Sequence, residues 1–126
     1  MVGGEVIEIQ GGLLVIKINR FWRKILAFKS KITIPLVAID DVITDPVTIR
    51  RTISGSFRIL GTSFVNYHGG LFFKKGRGLS FFSFKKIDKS IMLIMKDFYK
   101  YKVIVIEVQD KEKTYSIIRK AIGNSS

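Results

Sequence analysis

Three carboxylates stand close together in the first half of the chain, Asp40, Asp41 and Asp45. Oxygen donors so grouped can hold Mg²⁺ or Ca²⁺, but EF-hand ligand spacing and a glycine hinge are both missing. Asp is also a favoured turn and cap residue, which accounts for the group without a metal. His68 is the only histidine and precedes Gly69-Gly70. Ser63 and Asp45 would be its partners in a Ser-His-Asp set, but that chemistry needs a G-x-S-x-G elbow, which Ser54-Gly55-Ser56 does not supply. A surface or structural histidine is the expectation. Cysteine is absent, which removes disulfides, thiolate metal sites and thiol nucleophiles. The chain is therefore expected not to be an enzyme, with no catalytic, metal-binding or cofactor-binding residues.

Positive charge is the stronger signal. Arg20-Phe21-Trp22-Arg23-Lys24-Ile25-Leu26-Ala27-Phe28-Lys29 interleaves basic and aromatic residues on a short amphipathic stretch. Such a segment can insert Trp and Phe into a headgroup layer while Lys and Arg meet phosphates. It can equally pack on the protein's own core, or be buried between copies of the chain, where Trp, Phe and Arg are enriched. Lys75-Gly76-Arg77-Gly78, with Lys74, offers a second basic group on a glycine-rich turn. It lacks the strand–loop–helix context of a P-loop, and an ordinary hairpin tip has the same composition. Phe81, Phe82 and Phe84 beside Lys85 and Lys86 invite comparison with base-stacking platforms, but alternation puts Phe82 and Phe84 on one face, as core residues.

The elements that must carry these residues follow from composition and period. The 126 residues suit one domain spanning 1–126, with 47% hydrophobic and 12% aromatic residues arguing against disorder. Twenty-two Lys and Arg against ten acids give a net charge of +12. That attracts polyanions and anionic membranes, unless it merely reflects a Lys- and Ile-rich composition. No apolar run is long enough to cross a bilayer and no signal-peptide pattern opens the chain, so a cytoplasmic protein, peripheral at the membrane, is expected.

Residues 5–9 and 13–18 read as a hairpin around Gly11-Gly12. Phe21–Phe28 has a helical period, and Ile32, Ile34 and Leu36 alternate in a strand that sits at a sheet edge or ends at Pro35. Asp40–Pro46 reads as a turn region, Val47–Ile53 as a strand, and residues 57–70 as a long irregular connection. Leu71–Lys74 and Leu79–Phe84 flank the Lys75–Gly78 turn. Strands over 90–95 and 102–108 lead into a helix over about 110–122, with Asp110 as N-cap, a Tyr115/Ile118/Ile122 stripe and Gly123 as its stop.

Three local patterns stand out: Ile34-Pro35-Leu36-Val37-Ala38-Ile39-Asp40-Asp41-Val42, then Arg58-Ile59-Leu60-Gly61-Thr62 followed by Gly69-Gly70-Leu71-Phe72, and the closing Tyr101–Asp110 leading into the C-terminal helix. They resemble those of small prokaryotic pleckstrin-homology-like proteins. The resemblance implies a mainly β protein: a barrel of about seven antiparallel strands in two near-orthogonal sheets, capped by a C-terminal α-helix. It implies no particular ligand, because the fold hosts lipid, peptide and protein binding. Together these features predict a binding or adaptor domain for anionic lipid headgroups or a protein partner. Arg20, Phe21, Trp22, Arg23 and Lys24 form one contact surface, and Lys74, Lys75 and Arg77 a second. The alternatives are a single-stranded nucleic-acid-binding barrel and a homo-oligomeric scaffold with no lipid role.

Overall fold

A computed structural model describes residues 6–18, 31–64 and 67–125. The chain is mainly β, in two sheets with a C-terminal helix. The smaller sheet has the order β1-β2-β3, from Val6–Gln10, Leu13–Lys17 and Lys31–Pro35. Both pairings are antiparallel, and Gly11, with φ of 62°, turns the first hairpin where a side chain would be strained. β3 is an edge strand, where Pro35 costs no ladder hydrogen bond.

The larger sheet contains β4 (Ile39–Ile43), β5 (Phe57–Phe64), β6 (Tyr67–Lys74), β7 (Gly78–Phe84), β8 (Ser90–Met95) and β9 (Val103–Glu107). Its order is β4-β8-β9-β7-β6-β5. β7 passes over the sheet end to β8, and the β8–β9 hairpin folds back, so β9 enters between β8 and β7. β9 is antiparallel to β8 and therefore parallel to β7. This corrects the expectation of a wholly antiparallel arrangement, and the described residues form two open sheets of nine strands rather than a closed barrel.

The central strands read as continuous apolar runs because both of their faces are covered. Phe81, Ile91, Leu93, Ile104 and Ile106 pack towards the smaller sheet and the C-terminal helix, with Leu14, Ile16, Ile34 and Ile118. Phe82, Phe84, Met92, Val103 and Val105 pack on the opposite face with Ile49. Burying one such side chain contributes about 1.5–3 kcal/mol.

Three local expectations are corrected. Asp40 and Asp41 lie on β4 rather than in a turn, because an edge strand tolerates charge on its open side. Val47–Ile53 is helical: α1 (Pro46–Ile53) starts at Asp45, whose carboxylate accepts from Thr48 N at 3.1 Å, and Pro46 sits in the first turn, where its missing N–H costs nothing. Residues 57–64 and 67–70 are not irregular, since β5 and β6 pair antiparallel with a bulge between Arg58 and Leu60.

The C-terminal helix α2 (Lys111–Ser125) begins where expected, with Asp110 Oδ1 accepting from Lys113 N at 3.1 Å. Gly123 does not stop it, for the helix continues to Ser125. Ile118 is buried, and Tyr115, Ala121 and Ile122 pack beside it. Arg119 fastens the helix to β4 through Asp41, Nη1 to Oδ1 at 2.8 Å.

The crossover from β7 to β8 has an unusual brace. Glu107 is buried at the end of β9, and its Oε1 accepts from Lys85 N at 2.7 Å and Lys86 N at 3.3 Å. These amides have left the ladder, and a buried N–H without an acceptor is costly. Ser90 Oγ donates to Lys86 O at 2.7 Å, closing the same turn.

Candidate anionic-surface site

The basic groups of the second predicted patch meet new neighbours at one end of the larger sheet. The β6–β7 hairpin turns at residues 75–77, where Gly76 has φ of 84°, and Arg77 N donates to Lys74 O at 2.9 Å. Because β9 runs parallel to β7, the β8–β9 turn at residues 96–102 opens on the same end. Lys102 N donates to Leu79 O at 2.8 Å, joining the two turns directly. Lys75, Arg77, Lys96, Lys100 and Lys102 thus gather along one rim. Arg77 Nε is enclosed there with no acceptor, although a guanidinium normally satisfies its buried donors.

α1 adds Arg50 and Arg51 to this rim. Both are exposed in its last turn, where positive charge is favourable beside the free helix carbonyls. Lys74 Nζ reaches the same helix end and donates to Thr52 O at 2.8 Å. Val47, Arg50, Arg51, Ser54 and Lys74 line an open cleft of about 420 Å³ with no carboxylate in its wall. Asp97 contributes its backbone carbonyl to Lys102 Nζ at 2.9 Å, and its side chain is exposed on the same turn.

The other candidates find different places. Arg20, Phe21, Trp22, Arg23 and Lys24 lie outside the described residues. Lys74, Lys75 and Arg77 lie at the β6–β7 hairpin, and Arg50, Arg51, Lys100 and Lys102 were missed as partners. Asp45-Pro46 followed by Ile49 and Ile53 was the available signal for a helix carrying Arg50 and Arg51. The parallel β7–β9 pairing that adds Lys100 and Lys102 left no local signature. Phe81, Phe82 and Phe84 are all buried, so none offers a stacking surface.

The carboxylates are divided among separate tasks. Asp41 Oδ1 meets Arg119 and Val42 N, whereas Asp45 Oδ2 accepts from Thr48 N and Oγ1, the latter at 2.6 Å. Among the described residues no three His, Cys, Asp or Glu side chains are arranged to hold a metal. His68 lines a small pocket of about 120 Å³ with Ile53, Ser56, Phe72, Phe82 and Phe84. Its ring lies 5.3 Å from that of Phe84 and 6.3 Å from that of Phe72. Desolvation, and then the charge of Arg58, hold its pKa below the ordinary 6.5. Asp45, taken up by the start of α1, is not assembled with His68.

Comparison with protein families, curated proteins and solved structures yields no match for this chain. The rim's own geometry therefore carries the functional argument.

Proposed function

We propose that this protein is a non-catalytic binding module that docks on anionic membrane surfaces through the basic end of its larger sheet. The observation that carries this reading is the convergence of α1, the β6–β7 hairpin and the β8–β9 turn. Arg50, Arg51, Lys74, Lys75, Arg77, Lys100 and Lys102 come from three separate stretches of sequence, and the cleft among the first three has no acidic wall. A basic residue held near an anionic leaflet contributes about 1 kcal/mol, so several together give useful affinity. The net charge of +12 adds long-range attraction. No helix among the described residues is long and apolar enough to cross a membrane. A pleckstrin-homology-like kinship belongs to the same proposal: two sheets and a C-terminal helix support it, and the parallel β7–β9 pair departs from it.

The test is co-sedimentation with phosphatidylserine-containing and neutral vesicles over a salt series, for wild type and the Arg50→Ala/Arg51→Ala/Lys75→Ala variant. Wild type is expected to bind only anionic vesicles, with affinity falling as salt rises. Loss of three cations should weaken binding about 100-fold at low salt. Absence of wild-type binding to anionic vesicles at low salt would sink the proposal.

A further inference from the structure

We infer that Phe98 is the apolar anchor of this rim. It enters the interfacial layer of an anionic bilayer, with Phe57 as a second point of entry, so that the strand ends of the larger sheet face the membrane. The inference rests on the anionic-surface reading above and adds the depth and orientation of docking. Phe98 is 70% exposed, more than any other large apolar side chain in the described residues, and it sits in the β8–β9 turn. Folding gains little from an aromatic left in water, since the hydrophobic contribution scales with area removed from solvent.

The turn is built to hold this ring outward. Tyr99 N donates to Lys96 O at 3.0 Å, Lys102 Nζ clasps Asp97 O, and Met95 N donates to Lys102 O at 3.0 Å. Tyr99 takes the inward position, edge-on to the buried Tyr101 at 6.0 Å between ring centres. Its neighbour Phe98 is left largely in solvent, next to the exposed Asp97 and with the exposed Lys96 and Lys100 two residues to either side.

Phe57 lies at the same end of the sheet, at the start of β5 against Phe73, 5.6 Å between ring centres, and is 57% exposed. From β9 to β5 there are three strand spacings, about 14 Å. The two exposed rings thus straddle Lys75, Arg77 and Lys102. Apolar tips flanked by Lys75, Arg77, Lys100 and Lys102, which outnumber the Asp97 carboxylate of the same turn, match the layered chemistry of an anionic bilayer, where phosphates lie above the acyl boundary. Charge complementarity therefore selects a lipid surface over an uncharged apolar partner.

The absence of cysteine permits a direct test. Phe98→Cys, Phe57→Cys and Lys85→Cys, the last at the opposite end of β7, are each labelled with a polarity-sensitive fluorophore and mixed with phosphatidylserine/phosphatidylcholine vesicles. A blue shift is expected at positions 98 and 57 but not at 85. Phe98→Ser, with its fold checked by circular dichroism, should weaken vesicle binding about tenfold while leaving the salt dependence unchanged. Unaltered affinity in Phe98→Ser, or a label at 98 that stays in water on bound protein, overturns the anchor while leaving electrostatic docking intact. Failure of the wild type to bind anionic vesicles overturns both. Burial of the position-98 label by single-stranded DNA without any response to vesicles would also overturn the lipid assignment.

Discussion

His68 has a measurable consequence at the scale of single residues. Its imidazole is partly withdrawn from water against Phe72 and Phe84, and Arg58 adds repulsion to the charged form, so its pKa in the fold lies below 6.5. Between the folded and unfolded values the unfolded chain binds more protons. Stability contributed by this site therefore rises with pH through that window and is lost as pH falls below the unfolded value. The urea midpoint should fall between about pH 7.5 and about pH 5.5, and His68→Gln should flatten that segment of the profile. An unchanged slope in the variant would show that other groups set it. Tyr67 illustrates a different residue-level constraint. Its hydroxyl and that of Ser83 are 2.7 Å apart in the core, and its ring lies where a Cβ on Gly69 would approach to 2.5 Å. Glycine at position 69 is required by close approach, a reason quite separate from the turn role its neighbouring pair suggests.

At the scale of elements, α1 rests on one side chain. Ile49 is the buried residue of this eight-residue helix and joins Phe72, Phe82 and Met92 on the sheet. So short a helix is not stable alone, and its tertiary contact must hold it. Ile49→Ala should cost about 2–5 kcal/mol in urea unfolding. Because Arg50 and Arg51 immediately follow Ile49, the same contact sets where their charges stand. The β-branched residues Val47, Thr48, Ile49, Thr52 and Ile53 make the segment resemble a strand by propensity. The Asp45 cap, Pro46 and the four-residue spacing of Ile49 and Ile53 outweigh that preference once the sheet offers a surface. The β5–β6 pairing was illegible for another reason. Glycines at 61, 69 and 70 break the alternation that marks a strand, and the bulge after Arg58 shifts its phase.

For the whole molecule, +12 charges on 126 residues repel one another. Ion pairs relieve little of this at the exposed Lys17–Glu8 and Arg119–Asp41 contacts. Thermal stability should therefore rise as NaCl increases from about 0.01 M to about 0.3 M, where the screening length falls below the molecular dimensions. Binding to anionic vesicles should fall over the same range. Scanning calorimetry and co-sedimentation in matched buffers check the opposing trends, and a melting temperature that falls with salt would contradict the account of self-repulsion. The opposition follows from one charge distribution, since salt screens protein self-repulsion and vesicle attraction alike.

Much of this protein was legible in its sequence because the relevant forces are local. The Gly11-Gly12 hairpin, the strands over 79–84, 90–95 and 102–108, and the Asp110-capped helix all follow from turn chemistry, apolar period or side-chain capping within a few residues. Lys74, Lys75 and Arg77 were likewise recognisable as a cluster on one turn. Tertiary structure alone decided that β9 lies between β8 and β7, since strand order depends on how two faces of a sheet are buried together and not on any one strand's pattern. That choice brings the 96–102 turn beside the 75–77 turn and makes Phe98 part of a basic rim. A polar-looking turn and a separate basic hairpin became one surface because long-range pairing, which local composition does not encode, joined their strands.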